Sequence, residues 1–426
     1  MLSEPLTTAT FPAEIVRLAN GLTVIHQYLP ATPAVVVDVW VRAGAIREPS
    51  PWTGMAHFLE HMIFKGTATL APGVFDSIIE RRGGLTNAAT SHDYAHFFIT
   101  TAAQYLDDTL PPLADLLLHA TIPDDEFVRE RDVILEEIRS CYDNPDWLGF
   151  QALSENVYQH HPYGRSVLGT EQQLMTRSPQ QMRSFHSTYY QPENMTVVIV
   201  GGIEQASALE LVQQSFQDFC KPGDCPNVTP DAEPPITEIR RQELYLPRIE
   251  QARLLMAWIG PGVDRLADAY GLDLLSVLLA DGRSSRLVRE LREEQRLVQG
   301  ISSGFSLQRD SSLFTISAYL DPQHLEHVET LICDRLLELQ QTPLSQAELS
   351  RCQRLLCNDY IFSTEAASQL AGLYGYYNTI ATAELAVTYP QQIQKRTPED
   401  LMHLAQQYLS PYHYAVTVLK PIMGNW

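Results

Sequence analysis

The sharpest chemistry in this 426-residue chain is the pentapeptide His57-Phe58-Leu59-Glu60-His61. On a helix, residues four apart differ by about 40° around the axis and sit one turn apart. Two imidazoles so placed can grip one ion. Glu60, three residues after His57, projects beside them and can reach a water held there. Residue types and spacing match the inverted zinc motif HxxEH. The flanks Met55, Ala56, Phe58, Leu59, Met62, Ile63 and Phe64 are apolar. The helix is therefore expected to be largely buried, where His and Glu side chains need partners. A surface helix with two solvated histidines is the plain alternative, and the apolar flanks argue against it.

A catalytic zinc site takes three protein ligands and leaves a fourth position for water. The third ligand must come from elsewhere, and the helical run Glu126–Cys141, EFVRERDVILEEIRSC, offers candidates. Glu137 has Val133, Ile134 and Cys141 as i−4, i−3 and i+4 neighbours, which predicts an apolar, inward face. Glu136, among Asp132, Arg139 and Ser140, is expected to point to solvent. Glu130 lies seven residues before Glu137, about 20° away around the axis and two turns back. Two carboxylates on one apolar stripe are costly unless a cation or proton balances them. For Glu137 the metal is the expected cation. For Glu130 the choice stands between the site and a salt bridge to Arg129 or Arg131. His92, His96, His160, His161, His324 and His327 each lack a third partner and are expected not to ligate. The first two read as one strand, where i and i+4 are about 13 Å apart.

A scaffold must position these groups. At about 150 residues per domain the length suggests two or three domains. A proline-rich stretch, residues 220–240, divides the chain into 1–219 and 241–426. Proline at that density favours extended backbone without regular hydrogen bonds. Each half opens with a pair of strands, GLTVIHQYL and AVVVDVWVRAG, then RQELYLPRIEQ and ARLLMAWIG. Helix follows near Gly54–Lys65 in the first half and from Asp268 to Leu297 in the second. Each half closes on a late strand, NMTVVIVGGI and YHYAVTVLKPI. That order reads as a duplicated α+β unit.

The net charge is −21, from 30 Lys+Arg against 51 Asp+Glu. So acidic a chain argues against nucleic acid and anionic membrane as partners. It suits cationic ones where the charge gathers around a site, and plain solubility is the alternative. No stretch approaches the length of a membrane span. The opening residues lack the order of a secretory signal, with acids and prolines where basic then apolar residues belong. Six cysteines suit a reduced, cytoplasmic setting, and a Cys220–Cys225 disulfide across the CKPGDC loop is not expected.

Several runs carry a resemblance over nearly the whole chain. They are LANGLTVI, VRAGAIRE, TGMAHFLEHMIFKGT, GGLTNAATSHDYAHFF, ERDVILEEI, HPYGRSVLGTE, YYQPENMTVVIVGGI and DGRSSRLVRELREEQRLVQGISS. In them the chain resembles the zinc peptidases related to pitrilysin, insulin-degrading enzyme and the mitochondrial processing peptidase, in a short two-domain bacterial form. The third ligand of that family follows the second histidine at the spacing that Glu137 keeps here, 76 residues after His61.

The resemblance implies two pseudo-twofold-related α+β domains per chain, with helices on one face of a mixed sheet, and two such pairs enclosing a chamber. It implies one zinc per chain on His57, His61 and Glu137, with Glu60 as general base and Glu130 as an acid that orients the ligands. Asn87 and Ala88 would lie on the edge strand that pairs with the peptide substrate, and Arg292 would contact it from the second half. Seven residues after Arg292, where lone-acting members carry tyrosine, stands Gln299. A zinc metalloendopeptidase of short, unfolded, basic or leader-like peptides is therefore expected. It should work as a dimer, with a homologous metal-free chain favoured over a second copy. The alternative is a non-catalytic or partner-dependent subunit of such a heterodimer.

Overall fold

The computed structural model describes residues 10–422, so the first nine residues of the stretch read for a targeting signal lie outside the described residues. Two mixed sheets carry the fold. The first contains β1 (Glu14–Arg17), β2 (Thr23–Tyr28), β3 (Ala34–Val41), β4 (Leu85–Thr90), β5 (Ala95–Ala102) and β6 (Met195–Gly201), in the order β1-β2-β6-β3-β5-β4. The second contains β7 (Ile239–Leu246), β8 (Ala252–Pro261), β9 (Val298–Ser306), β10 (Ser311–Leu320) and β11 (Tyr414–Pro421), in the order β7-β11-β8-β10-β9.

The two sheets share one plan. In each, the late strand slots between two early strands, β2 and β3 in the first and β7 and β8 in the second. β6 runs parallel to β2 and antiparallel to β3, and β11 does the same between β7 and β8. Neither β2 and β3 nor β7 and β8 are thus partners of one another, although their adjacency in sequence suggests it, while β1 pairs with β2. The reason lies in composition. Every residue of β6 is buried, and a run without alternation suits a strand covered on both faces and paired on both edges. In β7, exposed residues alternate with half-buried ones, which suits the sheet edge it occupies.

Two compact units result. One comprises Met1–Arg139, Arg165–Pro230 and Ser363–Val387; the other comprises Ser140–Gly164, Asp231–Phe362 and Thr388–Trp426. The proline-rich stretch holds no regular element between the helix ending at Ser215 and β7, yet the units do not simply divide there. The helix Pro145–Val157 packs on the second sheet, against β7, β8 and β11, and the helix Ala367–Ile380 packs on the first, against β3 and β6.

Within the first unit, the core-facing residues of β3 and β5 include Val35, Val37, Val39, Phe97 and Ile99. They pack with Met55, Phe58, Leu59 and Met62 of α1 (Met55–Ile63), and with α2 (Val74–Arg81), α3 (Leu106–His119) and α4 (Asp124–Tyr142). The start of α1 is held closely. Gly54 has φ +88°, and a Cβ there would sit 2.7 Å from the Leu168 carbonyl oxygen. The fully buried Glu48 carboxylate accepts hydrogen bonds from the Gly54 N–H (3.0 Å) and the Ala56 N–H (2.7 Å), where a helix end leaves donors unpaired. Burial pushes the Glu48 pKa up, to about 8, against the pull of those N–H groups and of the Arg165 and Arg177 charges.

In the second unit the helical region expected from Asp268 to Leu297 is broken. A helix spans Leu266–Ala280, the chain turns with Gly282 at φ +77°, and a π-helical turn spans Val288–Glu294. A glycine in left-handed backbone just past the last turn is a usual helix stop. Among the described residues no helix is long and apolar enough to cross a membrane, and none of the six cysteines is in a disulfide.

The face of β3 opposite the core is closed by the helix Ala367–Ile380, where Gly375 admits the Trp40 ring. A Cβ on Gly375 would lie 2.1 Å from Trp40 Nε1. Gly375→Ala is expected to cost about 1–3 kcal/mol by overpacking, despite the better helix propensity of alanine. The check is a lowered Tm in thermal unfolding followed by tryptophan fluorescence.

Candidate metal centre

Helix α1 presents His57, Glu60 and His61, and α4 brings Glu137 across to them. His57 Nε2 lies 3.7 Å from Glu137 Oε1, and His61 Nε2 lies 3.6 Å from Glu137 Oε2. One donor atom from each of the three residues falls within 4.8 Å of the others. Among the described residues this is the group of His, Cys, Asp and Glu side chains that could hold an ion.

The buried stripe of α4 consists of Phe127, Glu130, Ile134, Leu135 and Ile138. Val133, expected to face inward, is 52% exposed. Glu137 therefore sits at the margin of the stripe rather than within it, its side chain 39% exposed. That margin faces the two imidazoles. Glu136 is exposed and pairs with Arg139, as its neighbours suggested.

Glu130, inside the stripe, joins the cluster through His61. Its Oε1 is 2.9 Å from His61 Nδ1. Its other oxygen pairs with Lys65 Nζ at 2.5 Å. The alternative weighed for Glu130, a salt bridge to Arg129 or Arg131, is not the one formed: the cation is Lys65, and Arg129 pairs with Glu126 and Asp125. A carboxylate on Nδ1 leaves the His61 Nε2 lone pair aimed at Glu137, the arrangement metal-binding histidines commonly use. Lys65 was not singled out from sequence. Its signal is a cation one helical turn beyond His61 in an apolar run. Thr90 was also missed: at the end of β4 its hydroxyl donates to Glu60 Oε2 at 2.6 Å. Thr86, Ala88 and Thr90 share one face of β4 by the period of two.

Burial dominates the electrostatics. It lowers the His57 pKa to about 4, with the His61 charge acting the same way, so His57 is neutral at pH 7 with a lone pair to give. For His61 burial also pulls downward, but the Glu130 hydrogen bond and the Glu130, Glu137 and Glu60 charges outweigh it, and the net shift is upward. Burial would raise Glu130, yet His61 and Lys65 hold it below its ordinary value. Glu60 is raised by burial, against the Thr90 hydrogen bond and the His61 and His96 charges. Two imidazoles and a carboxylate converging on one point, with a neutral His57 and an oriented His61, fit zinc.

Beside the cluster opens a cavity of about 290 Å³ lined by Glu60, His61, Phe64, Lys65, Asn87 and Ala88 among others. Asn87 and Ala88 belong to β4, which pairs with β5 along one side and ends the sheet on the other. Arg292 lies in the π-helical turn of the second unit and donates to its neighbour Glu293 at 2.7 and 3.0 Å. Gln299 is exposed on β9, the edge strand of that unit's sheet. His92 lies in the turn between β4 and β5 rather than on a strand, with Nε2 2.9 Å from the Arg165 carbonyl oxygen. His96, on β5, has Nδ1 3.0 Å from Asp38.

Residues 23–171 match the family description "Insulinase (Peptidase family M16)", and residues 177–356 match "Peptidase M16 inactive domain". The "Zinc protease PqqE" of Helicobacter pylori is 31% identical over 416 residues, covering 96% of this chain and 93% of that protein. This chain belongs to the insulinase family of peptidases. A crystal structure of a protease from Helicobacter pylori has the same fold, with TM-score 0.89 and 30% identity, covering 96% of this chain and 99% of the other. The periplasmic protease PqqL of Escherichia coli shares the fold at 19% identity and TM-score 0.81. The match takes in 96% of this chain but 47% of PqqL. His57, Glu60, His61 and Glu137 all fall in the range of the insulinase description, and Arg292 falls in that of the inactive domain.

Purified protein reconstituted with zinc is expected to hold one ion per chain. His57→Ala and Glu137→Ala should each empty the site, because three ligands become two. Zinc content by mass spectrometry checks this, and retention of the full complement in either variant would refute the ligand set.

Proposed function

We propose that this chain is a zinc metalloendopeptidase acting on short, unfolded, basic or leader-like peptides in a chamber closed by dimerisation. The observation that carries the proposal is the convergence of His57, His61 and Glu137 beside a half-buried Glu60 whose carboxylate is held in place. Family membership and the name of the Helicobacter pylori relative support it. A zinc ion, when bound, polarises the scissile carbonyl and lowers the pKa of water. Glu60 takes the proton of the attacking water and passes it to the leaving amine. Burial, by raising its pKa, moves Glu60 toward the range in which a group can both accept and release a proton. Glu130 fixes the His61 tautomer from behind. The open side of β4 binds the peptide as an added strand through backbone hydrogen bonds, with little regard to side chains.

We assign zinc binding and catalysis to residues 1–219, substrate clamping through Arg292 to residues 241–426, and the proline-rich linker to residues 220–240. We place the protein in the cytoplasm on the strength of its few cysteines, none in a disulfide. A second reading makes the chain partner-dependent, and the observation favouring it is Gln299, which has neither the ring nor the acidity of tyrosine. PqqL carries about twice this length of chain, which supports pairing of two such lengths here. We favour a homologous metal-free partner over a second copy. A monomer of full activity in solution would overturn both forms of pairing. A single chain type that is active alone, and unaffected by Gln299→Tyr, would leave self-pairing.

Glu60→Gln is expected to keep its zinc and lose turnover by about 10²–10⁴-fold, since glutamine is nearly isosteric but takes no proton at neutral pH. Hydrolysis of a fluorogenic peptide together with zinc content checks this, and turnover near wild type would refute the role.

Basic peptides are expected to be cleaved faster than acidic ones of the same length, given the −21 charge. The advantage should shrink with salt, because steering by exposed charge is screened over about 8–10 Å at physiological ionic strength. Equal kcat/KM for both peptides at low and high salt would refute the electrostatic preference.

A further inference from the structure

We infer that Thr90 is a positioning residue that ties the hydrolytic base to the strand on which the substrate docks, an inference resting on the peptidase function proposed above. The Thr90 hydroxyl donates to Glu60 Oε2 at 2.6 Å, within the short range of charge-assisted O–H···O bonds. The terminal torsion of a glutamate is broad and soft, so an unanchored carboxylate samples many orientations. Here one oxygen is engaged by Thr90, which leaves Oε1 for the water.

The anchor itself is stiff. Threonine is branched at Cβ, which restricts χ1. Its backbone is set in the β4–β5 ladder opposite Ala95. Half-buried, Thr90 stands at the last position of β4. Asn87 and Ala88 lie three and two residues earlier on the same strand, which ends the sheet. A peptide added to that edge takes its register from β4, at about 3.3 Å per residue. One element therefore fixes both where the scissile bond lies and where the proton acceptor points. His57 and His61 owe nothing to this bond: their donors are set by α1, α4 and Glu130. Loss of the Thr90 hydroxyl should thus disturb turnover while sparing metal binding.

The test compares Thr90→Val, which keeps shape and removes the donor, with Thr90→Ser, which keeps the donor. Both are measured on the zinc-loaded full chain with an unstructured fluorogenic peptide. Thr90→Val is expected to lower kcat about tenfold, the order of one hydrogen bond to a charged group. KM, zinc content and Tm should stay near wild type, and Thr90→Ser should restore kcat. In the Glu60→Gln background, Thr90→Val should cause no further loss, since the hydroxyl acts through Glu60. Four outcomes overturn the inference: unchanged kcat in Thr90→Val, a change in KM alone, loss of zinc or stability that accounts for the defect, or a Thr90→Ser variant as slow as Thr90→Val. If Glu60→Gln is as active as wild type, or zinc-loaded wild type does not cleave peptides, the peptidase function falls and this inference with it. If Glu60→Gln is inactive and Thr90→Val is normal, only the role of Thr90 falls.

Discussion

Two helices approach closely enough for one carboxylate to face two imidazoles, and the rest of the first unit exists to keep them there. Glu137 sits 3.6–3.7 Å from both histidines. Burial penalises charge in such a cluster, on imidazole and carboxylate alike. The fold answers with compensation on every side. Lys65 and His61 hold Glu130 ionised, Thr90 holds Glu60, and Glu137 keeps a margin of solvent. A divalent ion would complete that balance.

The scaffold beneath is built for stiffness. Seven of the nine residues of α1 are buried, and its first turn is clamped by the Glu48 carboxylate and by the close approach of Gly54 to Leu168. The helix can neither slide nor rotate without breaking hydrogen bonds that lack solvent as a substitute. Groups that must meet an ion within a few tenths of an ångström are best carried on such an element.

What could be read from sequence follows the reach of each signal. The α1 histidines were legible because helical periodicity is local, and Glu137 because a second helix offered a carboxylate at a telling distance along the chain. The α+β duplication was legible from the order of apolar runs. Strand order was not: that β6 inserts between β2 and β3 depends on a partner more than 150 residues away, and its uninterrupted burial only hints at a central place. The inward face of α4 was misjudged by about one residue's rotation, because Val133 and Ile134 are equally apolar and only the packing of the helix chooses between them. Lys65 and Thr90 escaped notice for a similar reason. Each acts through a group on another element, and neither residue type is unusual where it stands.

The reciprocal placement of the helices Pro145–Val157 and Ala367–Ile380 bears on how the chain is made. During synthesis the first sheet can form once β6 has emerged, but the helix that covers β3 and β6 lies nearly 170 residues further on. At about 5–20 residues per second that apolar face stays bare for some ten to thirty seconds. The second sheet has the opposite experience, since its covering helix is made before any of its strands. Neither half is therefore a portable module. A fragment cut at the proline-rich stretch would carry one helix with nothing to cover and leave one sheet uncovered, so the natural unit of inheritance and of expression is the whole chain.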